Sequence, residues 1–259
     1  MKATDKFEEY FEDSSIFISC VKFGSFTQED LYEIHLKILK IDGKRLELVD
    51  AEKFTSDQYF NLCSTAIDQN GLALEYVKAS LIGVENYQKL CYQSVKQNGF
   101  SVWFVKEEYF QDDLKKLRVI YNTAVGQNAD ALQVIKDQTL TVCLIAVEKN
   151  TSALQWVNPQ LFSKADYGEI CYAAFHRKHA RLIIEQLFEP DLLIKHIQNN
   201  QALRFVNKDY LFPEKYKALC LLAIEYSGAS LPFVDKSLWL DTDFCMEAMK
   251  INAYSKNYM

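Results

Sequence analysis

Apolar residues recur along this chain in one pattern, and the pattern repeats. The segments 63–77, CSTAIDQNGLALEYV, and 91–105, CYQSVKQNGFSVWFV, match each other at a distance of 28 residues. Before the glycine of each segment, apolar or small residues stand at i, i+1, i+4 and i+5, which is one face of an α-helix. The pattern therefore predicts an amphipathic helix of about three turns ahead of each glycine.

The glycine is an anchor from which further copies of the pattern can be aligned. The anchor residues are Gly43, Gly71, Gly99, Ala129, Thr151, His179, Asn200, Gly228 and Ala253. Successive anchors are 28, 28, 30, 22, 28, 21, 28 and 25 residues apart, so long and short spacings alternate in the second half of the chain. Self-similarity at such a period is typical of helical repeat proteins.

Signals around the anchor predict where the helices of each unit begin and end. Asn precedes most anchors, and Asn followed by Gly tolerates the left-handed conformation that closes many helices. Thr27 with Asp30 and Thr55 with Gln58 have the spacing of a capping box at a helix start. Apolar residues at +3, +6 and +10 from the anchor predict a second helix. Each unit is therefore expected to be a helix, a tight turn and a shorter helix.

Units of this kind bury their apolar faces against their neighbours. We therefore predict an all-α fold, an α-solenoid of about nine short helix-turn-helix repeats. No polar linker interrupts the pattern, so a single domain over residues 1–259 is expected. Residues 1–29 would form an N-terminal helical cap, 30–250 the repeats and 251–259 a C-terminal cap.

The consensus C-x-x-A-[VI]-x-x-N-G-x-A-L-x-[YFW]-V resembles the bacterial repeat family called domain of unknown function 4116. The resemblance covers about residues 31–257, and the chain departs from the pattern at 176–181 and 191–197. It implies an all-helical tandem array with no assigned catalytic residues. It also implies a bacterial protein, and similar arrays occur in some proteins that intracellular bacteria deliver into host cells.

Six of the seven cysteines share one column, eight residues before the anchor. They are Cys63, Cys91, Cys143, Cys171, Cys220 and Cys245. Cysteine can be a nucleophile or a metal ligand, but it is also a common small buried residue. Neighbouring helices lie roughly 10 Å apart, which is too far for a shared zinc with bonds of about 2.3 Å. The column is therefore interpreted as structural.

Composition and charge exclude some kinds of binding partner and indicate the cellular compartment of the protein. The chain holds 29 Lys and Arg against 35 Asp and Glu, a net charge of −6, so no general attraction for nucleic acid is expected. No apolar run reaches the roughly 18 residues of a membrane span, and the start lacks the features of a secretory signal peptide. An odd number of cysteines favours a reducing compartment. We expect a cytoplasmic bacterial protein, or one secreted into a host cell without a classical signal.

The column of residues four positions after the anchor suggests a surface for binding a partner. Four residues after the anchor the chain is mostly polar, but Trp103 and Ile183 interrupt this polar column, and Phe100 extends the apolar character near Trp103. A tryptophan in a solvent-facing column is a candidate anchor for a protein partner. The alternative is a tryptophan that packs over a neighbouring helix.

The segment HRKHAR, residues 176–181, is the only dense basic cluster. Its candidate binding residues are His176, Arg177, Lys178 and Arg181. They could bind an acidic partner or a phosphate, or form a solvated helix face. His176 and His179 have a spacing that metal sites use, but no acidic third ligand stands at helical spacing nearby. No metal site and no cofactor are therefore predicted.

The chain lacks the Gly-rich nucleotide motifs, the nucleophile elbow and the EF-hand loop. We therefore predict a non-enzymatic scaffold that binds an unidentified protein partner. The alternative is an enzyme, or a metal- or phosphate-binding site, built on the irregular repeats at 176–196. The partner, the compartment and the oligomeric state stay open at this point.

Overall fold

The computed structural model describes residues 27–175 and 202–259. These ranges contain α-helices and 3₁₀ helices and no β-strand, which confirms the predicted all-α class for this part of the chain. The α-helices are α1 (Gln28–Ile41), α2 (Ser56–Gln69), α3 (Val84–Gln97), α4 (Leu114–Gln127), α5 (Leu140–Lys149), α6 (Lys164–Phe175), α7 (Pro213–Tyr226) and α8 (Thr242–Ile251).

Each α-helix is paired with a short 3₁₀ helix, which we call a rung. The rungs are Gly43–Leu48, Gly71–Tyr76, Gly99–Phe104, Ala129–Val134, Thr151–Trp156, Ala202–Phe205, Gly228–Phe233 and Ala253–Tyr258. Shorter 3₁₀ turns lead from a rung into the next helix at Ala51–Lys53, Ala79–Leu81, Glu107–Phe110, Pro159–Leu161, Lys208–Tyr210 and Lys236–Leu240. A repeat is therefore an α-helix, a rung and, in most cases, a turn.

The second helix of each unit begins where the sequence predicts it, but it is a 3₁₀ helix and is shorter than predicted. The +10 position lies in the separate turn that follows, where Leu81 and Leu161 are exposed. In the second rung the anchor Gly71, Leu74 and Val77 are all buried, three residues apart. A period of three is that of a 3₁₀ helix, which has three residues per turn. The apolar positions at +3 and +6 therefore face the core, as a 3₁₀ helix requires.

The expected left-handed closure of the α-helices is wrong. Asn70, which follows α2, is extended, with φ −148° and ψ 108°. Its N–H donates to the Ala66 carbonyl at 2.8 Å, and its Oδ1 accepts from the Leu72 N–H at 3.0 Å. One asparagine therefore ends an α-helix and caps the following rung. Among the described residues only Gly83 has a positive φ.

The anchor glycine is required by close packing, not by its backbone conformation. A Cβ atom at Gly71 would lie 2.6 Å from Gln97 Oε1 and 2.8 Å from the Ser94 carbonyl oxygen, both in the next repeat. Distances this short are not tolerated between packed atoms. The Asn-Gly pair therefore marks a helix end at which two repeats approach each other closely.

The predicted core face of the α-helices is confirmed. In α2, Leu62, Cys63, Ala66 and Ile67 stand at the i, i+1, i+4 and i+5 positions, and each side chain is 0% exposed. The same columns are buried in the other described helices, apart from the exposed Met249 in α8 and the half-buried His35 in α1. No helix in the described ranges is long and apolar enough to cross a membrane.

Contacts divide the chain into two units, Met1–Gln127 and Asn128–Met259. In the first unit α1 to α4 pack side by side in chain order, and so do its three rungs. In the second unit α5 to α8 pack in chain order, and five rungs follow one another in the same way. A single continuous domain over 1–259 stays a prediction, and most of the expected N-terminal cap, 1–26, lies outside the described residues.

One repeat is assembled from residues far apart in the sequence. The Tyr59 hydroxyl accepts from the Lys78 N–H at 3.1 Å, which joins α2 to the turn after its own rung. The equivalent bond from α6 joins Tyr167 to the N–H of Asn207 at 3.0 Å. Helix α6 therefore pairs with the Ala202–Phe205 rung, and the described residues hold eight helix-rung pairs. The predicted anchor His179 lies outside the described residues.

Candidate functional site

The outward faces of the rungs include the column that suggested a binding surface. All its described members are exposed: Glu47, Glu75, Trp103, Gln133, Gln155, Arg204, Pro232 and Asn257. The side chain of Trp103 is 64% exposed. Trp103 is therefore a large aromatic group in a solvent-facing column and is not covered by a neighbouring helix.

Beside Trp103 the first three rungs enclose a groove of about 220 Å³, which we call the rung groove. Its walls are Lys44, Leu72, Glu75, Tyr76, Phe100, Trp103 and Phe104. The structure thus brings together two predicted candidates, Trp103 and Phe100, on one surface. Aromatic and aliphatic side chains form most of that surface, and charged groups stand among them.

Local hydrogen bonds fix the direction of the aromatic side chains. Asn98 Oδ1 accepts from the Phe100 N–H at 3.0 Å and so sets the start of the rung. Ser101 and Val102 then point inward and are buried. With three residues per turn, Phe100 and Trp103 fall on the opposite, outward side.

Glutamine side chains hold neighbouring repeats in register. In the first unit the anchor N–H of Gly43, Gly71 and Gly99 donates to the Oε1 of a glutamine in the next α-helix, at 2.7 Å in each case. The Nε2 of Gln97, one of these glutamines, donates back to the main-chain carbonyl of Gln69 at 3.4 Å. These paired bonds fix the relative positions of the rungs that line the rung groove.

Acidic groups without a basic partner stand at one side of the rung groove. Glu47 and Glu75 occupy the same column on adjacent rungs, and neither forms an ion pair with a Lys or Arg in the described ranges. Partial desolvation and, after it, the negative charges of Glu75 and Glu47 raise the pKa of Tyr76. The groove therefore combines an aromatic surface with a local negative potential.

Sequence reasoning did not name the other five wall residues of this groove as binding candidates: Lys44, Leu72, Glu75, Tyr76 and Phe104. A column of aromatic residues five positions after the anchor would have identified two of them. Its members are Tyr76, Phe104, Trp156, Phe205, Phe233 and Tyr258. The glutamine two residues before the anchor was missed as well, although Gln69, Gln97 and Gln127 repeat at the unit spacing.

The remaining predicted binding residues lie outside the described residues. These are His176, Arg177, Lys178, Arg181 and Ile183, together with the alternative site proposed at 176–196. In the two described ranges no three His, Cys, Asp or Glu side chains are grouped so that they could hold a metal ion.

The cysteines of the repeat column are free thiols inside the helical core. All six, Cys63, Cys91, Cys143, Cys171, Cys220 and Cys245, are buried. Burial raises the pKa of Cys63 and Cys91 to about 12, and it does the same for Cys143, Cys171 and Cys220. A buried thiol that stays protonated is a poor nucleophile, so the column contributes packing.

A protein-family model matches part of the chain. Residues 216–257, which include most of α7, the Gly228–Phe233 rung, α8 and most of the last rung, match the family model described as Domain of unknown function (DUF4116). No curated protein and no solved structure matches the chain. Residues 216–257 are therefore similar to the repeats that this family model describes.

Proposed function

We propose that this chain is a protein-interaction scaffold and that the rung groove is its docking surface. The observation that carries the proposal is the 64% exposure of Trp103 in a column whose other described members are polar residues or proline. Tryptophan is among the residues that most often dominate the binding energy of protein interfaces. Exposed apolar groups rimmed by polar residues are typical of such interfaces.

The size of the groove favours side chains of a protein segment over a free small molecule. Its volume of about 220 Å³ is below the roughly 300–1,000 Å³ of most small-molecule sites. Neighbouring helices pack roughly 8–10 Å apart, so a segment lying across three rungs would span roughly 20 Å. About six extended residues cover that distance.

The carboxylates near the rung groove indicate that the partner segment carries a positive charge. Glu47 and Glu75 lack a basic partner in the described ranges, and they stand close to the ring of Tyr76. A Lys or Arg of the partner could pair with a carboxylate and lie against an aromatic face at the same time. The proposed ligand is therefore a short extended segment with an apolar anchor next to Arg or Lys. The net charge of −6 favours such a partner over a nucleic acid.

Selection from a library of random 12-residue peptides tests this proposal directly. We expect the wild type to enrich peptides that combine an apolar residue with Arg or Lys. Trp103→Ala should weaken their binding by about tenfold or more, since it removes the central anchor. Glu75→Gln should weaken it at low salt and have less effect at high salt.

Trp156→Ala is the matched control, because Trp156 is also a tryptophan on a rung, 37% exposed, but lies outside the rung groove. Circular dichroism would show that all variants are folded. Peptides that bind the wild type and Trp103→Ala equally well would contradict the proposal, and so would a selection without enrichment.

A bacterial origin and the compartment belong to the same proposal. The resemblance to a bacterial repeat family supports either a regulator in the bacterial cytoplasm or an effector delivered to a host cell. Affinity capture from bacterial and eukaryotic lysates, with wild type and Trp103→Ala in parallel, distinguishes the two. A partner that depends on Trp103 in the bacterial lysate supports the regulator, and one in the eukaryotic lysate supports the effector.

A further inference from the structure

A larger cavity lies in the second unit, between α6 and α7. Its volume is about 460 Å³, which is within the range of small-molecule sites. Its apolar wall is formed by Ala165, Gly168, Leu211, Ala218 and Leu219. This cavity is separate from the rung groove, and no predicted site residue lines it except Cys171, which was interpreted as structural.

The cavity opens where one repeat lacks a side chain. Gly168 lies three residues before the cysteine column, and in α3 and α7 the side chain at this position contacts the next helix or its capping residue. In α3 the Oε1 of the equivalent Gln88 accepts from Lys116 Nζ of α4 at 3.1 Å, and in α7 the equivalent Lys217 pairs at 2.8 Å with Asp241, which caps the start of α8. At Gly168 no side chain crosses the gap.

Neither packing nor backbone conformation requires this glycine. A Cβ atom at Gly168 would meet only the Leu211 Cδ2 atom, at 3.6 Å, which is an ordinary contact. Its φ is not positive, since Gly83 alone has that property among the described residues. Glycine in a helix interior is destabilising relative to alanine. A residue that weakens its own helix without a packing reason is typical of a functional site.

Two lysines at the cavity have no acidic partner in the described ranges. Lys164 Nζ lies 3.4 Å from the Leu211 carbonyl oxygen and 5.9 Å from the centre of the Phe212 ring. Lys215 also lines the cavity, and no ion pair is formed by either lysine. An apolar cavity with two such ammonium groups is suited to an apolar molecule with one negative charge.

The equivalent groove between α3 and α4 differs in its charges. It has a volume of about 420 Å³, but Lys89 pairs with Glu85 at 2.8 Å and Lys116 pairs with Asp113 at 3.4 Å. Its lysines are therefore already neutralised by the protein itself. Of these two helix–helix grooves, the α6–α7 cavity is therefore the one whose lysines have no acidic partner in the described ranges, and the α3–α4 groove is an internal control.

We propose that the cavity between α6 and α7 binds a small amphiphile with one carboxylate and an unbranched apolar chain. The carboxylate pairs with Lys164 and Lys215, which stand in the first turns of α6 and α7. The chain extends along Gly168 and Ala218. Glu169, five residues after Lys164 and about 7.5 Å further along the helix axis, keeps the carboxylate at the lysine end by repulsion.

Titration with decanoate below its micellar concentration, followed by calorimetry, tests the proposal on the full chain. We expect saturable binding of one decanoate, and weaker binding of decanol, which has the same chain and no charge. Lys215→Met should weaken decanoate about fivefold and leave decanol unchanged. Glu169→Gln should strengthen decanoate binding.

Gly168→Leu fills the cavity and should abolish binding, while Gln88→Leu in the α3–α4 groove should leave it unchanged. Ala218→Leu serves as a second cavity-filling variant if Gly168→Leu does not fold by circular dichroism. The proposal is overturned if decanoate does not bind, if decanol binds as tightly, or if the filled cavity still binds decanoate. Equal losses in Gln88→Leu and Gly168→Leu would also overturn it.

Discussion

Two glycines of this chain, Gly71 and Gly168, have different structural roles, and replacing each by alanine distinguishes these roles. A Cβ atom at Gly71 would lie 2.8 Å from a backbone oxygen, whereas a Cβ atom at Gly168 would make only an ordinary contact of 3.6 Å with Leu211. Gly71→Ala should therefore lower the free energy of unfolding by about 1–3 kcal/mol through overpacking. Gly168→Ala should raise it by about 0.5–1 kcal/mol, because alanine favours the helix.

Urea denaturation of the two variants and the wild type measures both effects. Equal effects of the two substitutions would contradict this account of the anchor glycine. So would a stabilising Gly71→Ala.

We expect the free energy of unfolding to fall at alkaline pH, because the thiols of the repeat column are buried. Burial raises the pKa of Cys63 and Cys91 from about 9 to about 12, and it raises the pKa of their neighbours Tyr59 and Tyr87 as well. Between pH 9 and pH 12 the unfolded chain therefore binds fewer protons than the folded one, so the free energy of unfolding falls as the pH rises. The loss is about 1 kcal/mol per thiol at pH 10.

Urea midpoints at pH 7 and pH 10 in a reducing buffer would measure this loss. Cys91→Ala removes one of the titrating groups, so its midpoint should fall less over the same interval than that of the wild type. A variant with the same pH dependence as the wild type would show that this thiol does not contribute.

At the scale of elements, the sequence predicts helix starts and buried faces well. The capping boxes at Thr27 and Thr55 are present, and α1 and α2 begin directly after them. These features are local, so a short stretch of sequence contains all the interacting groups. The 3₁₀ type of the rungs was missed because an apolar residue at +3 fits both kinds of helix.

Contacts between repeats were harder to predict, because each depends on two residues about 28 positions apart. Gln97 illustrates this, since its Oε1 accepts from the Gly71 N–H in the preceding rung at 2.7 Å. Gln97→Ala leaves this buried N–H without its acceptor, which should cost about 1–3 kcal/mol of folding free energy. Thermal and urea denaturation would measure it.

Lys96→Ala is the control for that experiment, because Lys96 is the exposed neighbour of Gln97 in α3. It should change the free energy of unfolding by less than about 0.5 kcal/mol. Similar losses in the two variants would contradict a specific role for the glutamine bridge.

At the scale of the whole molecule, the sequence predicts part of the candidate site and misses the rest. The polar column around Trp103 indicates from the sequence that this tryptophan faces solvent. The rung groove could not be predicted in the same way, because Lys44, Tyr76 and Phe104 come from three different rungs. The pairing of α6 with the Ala202–Phe205 rung was missed because the sequence alignment assigned α6 the nearer anchor His179.

The two units differ in what they offer to other molecules. The first holds an open aromatic groove beside carboxylates that have no Lys or Arg partner in the described ranges, which favours a basic and apolar protein segment. The second holds a larger apolar cavity with two lysines, which favours a small carboxylate. The two proposals rest on different residues, so each can fail without the other.

Site-specific photo-cross-linking tests the central claim, that the rung groove is the docking surface. Trp103 is replaced by p-benzoylphenylalanine, and Gln155, an exposed residue in the same column of the second unit, is replaced as the control. Both proteins are irradiated in bacterial and eukaryotic lysates. We predict a discrete cross-linked protein from position 103 that is absent from position 155. Adducts that are equal at both positions, or missing at position 103, would contradict the claim.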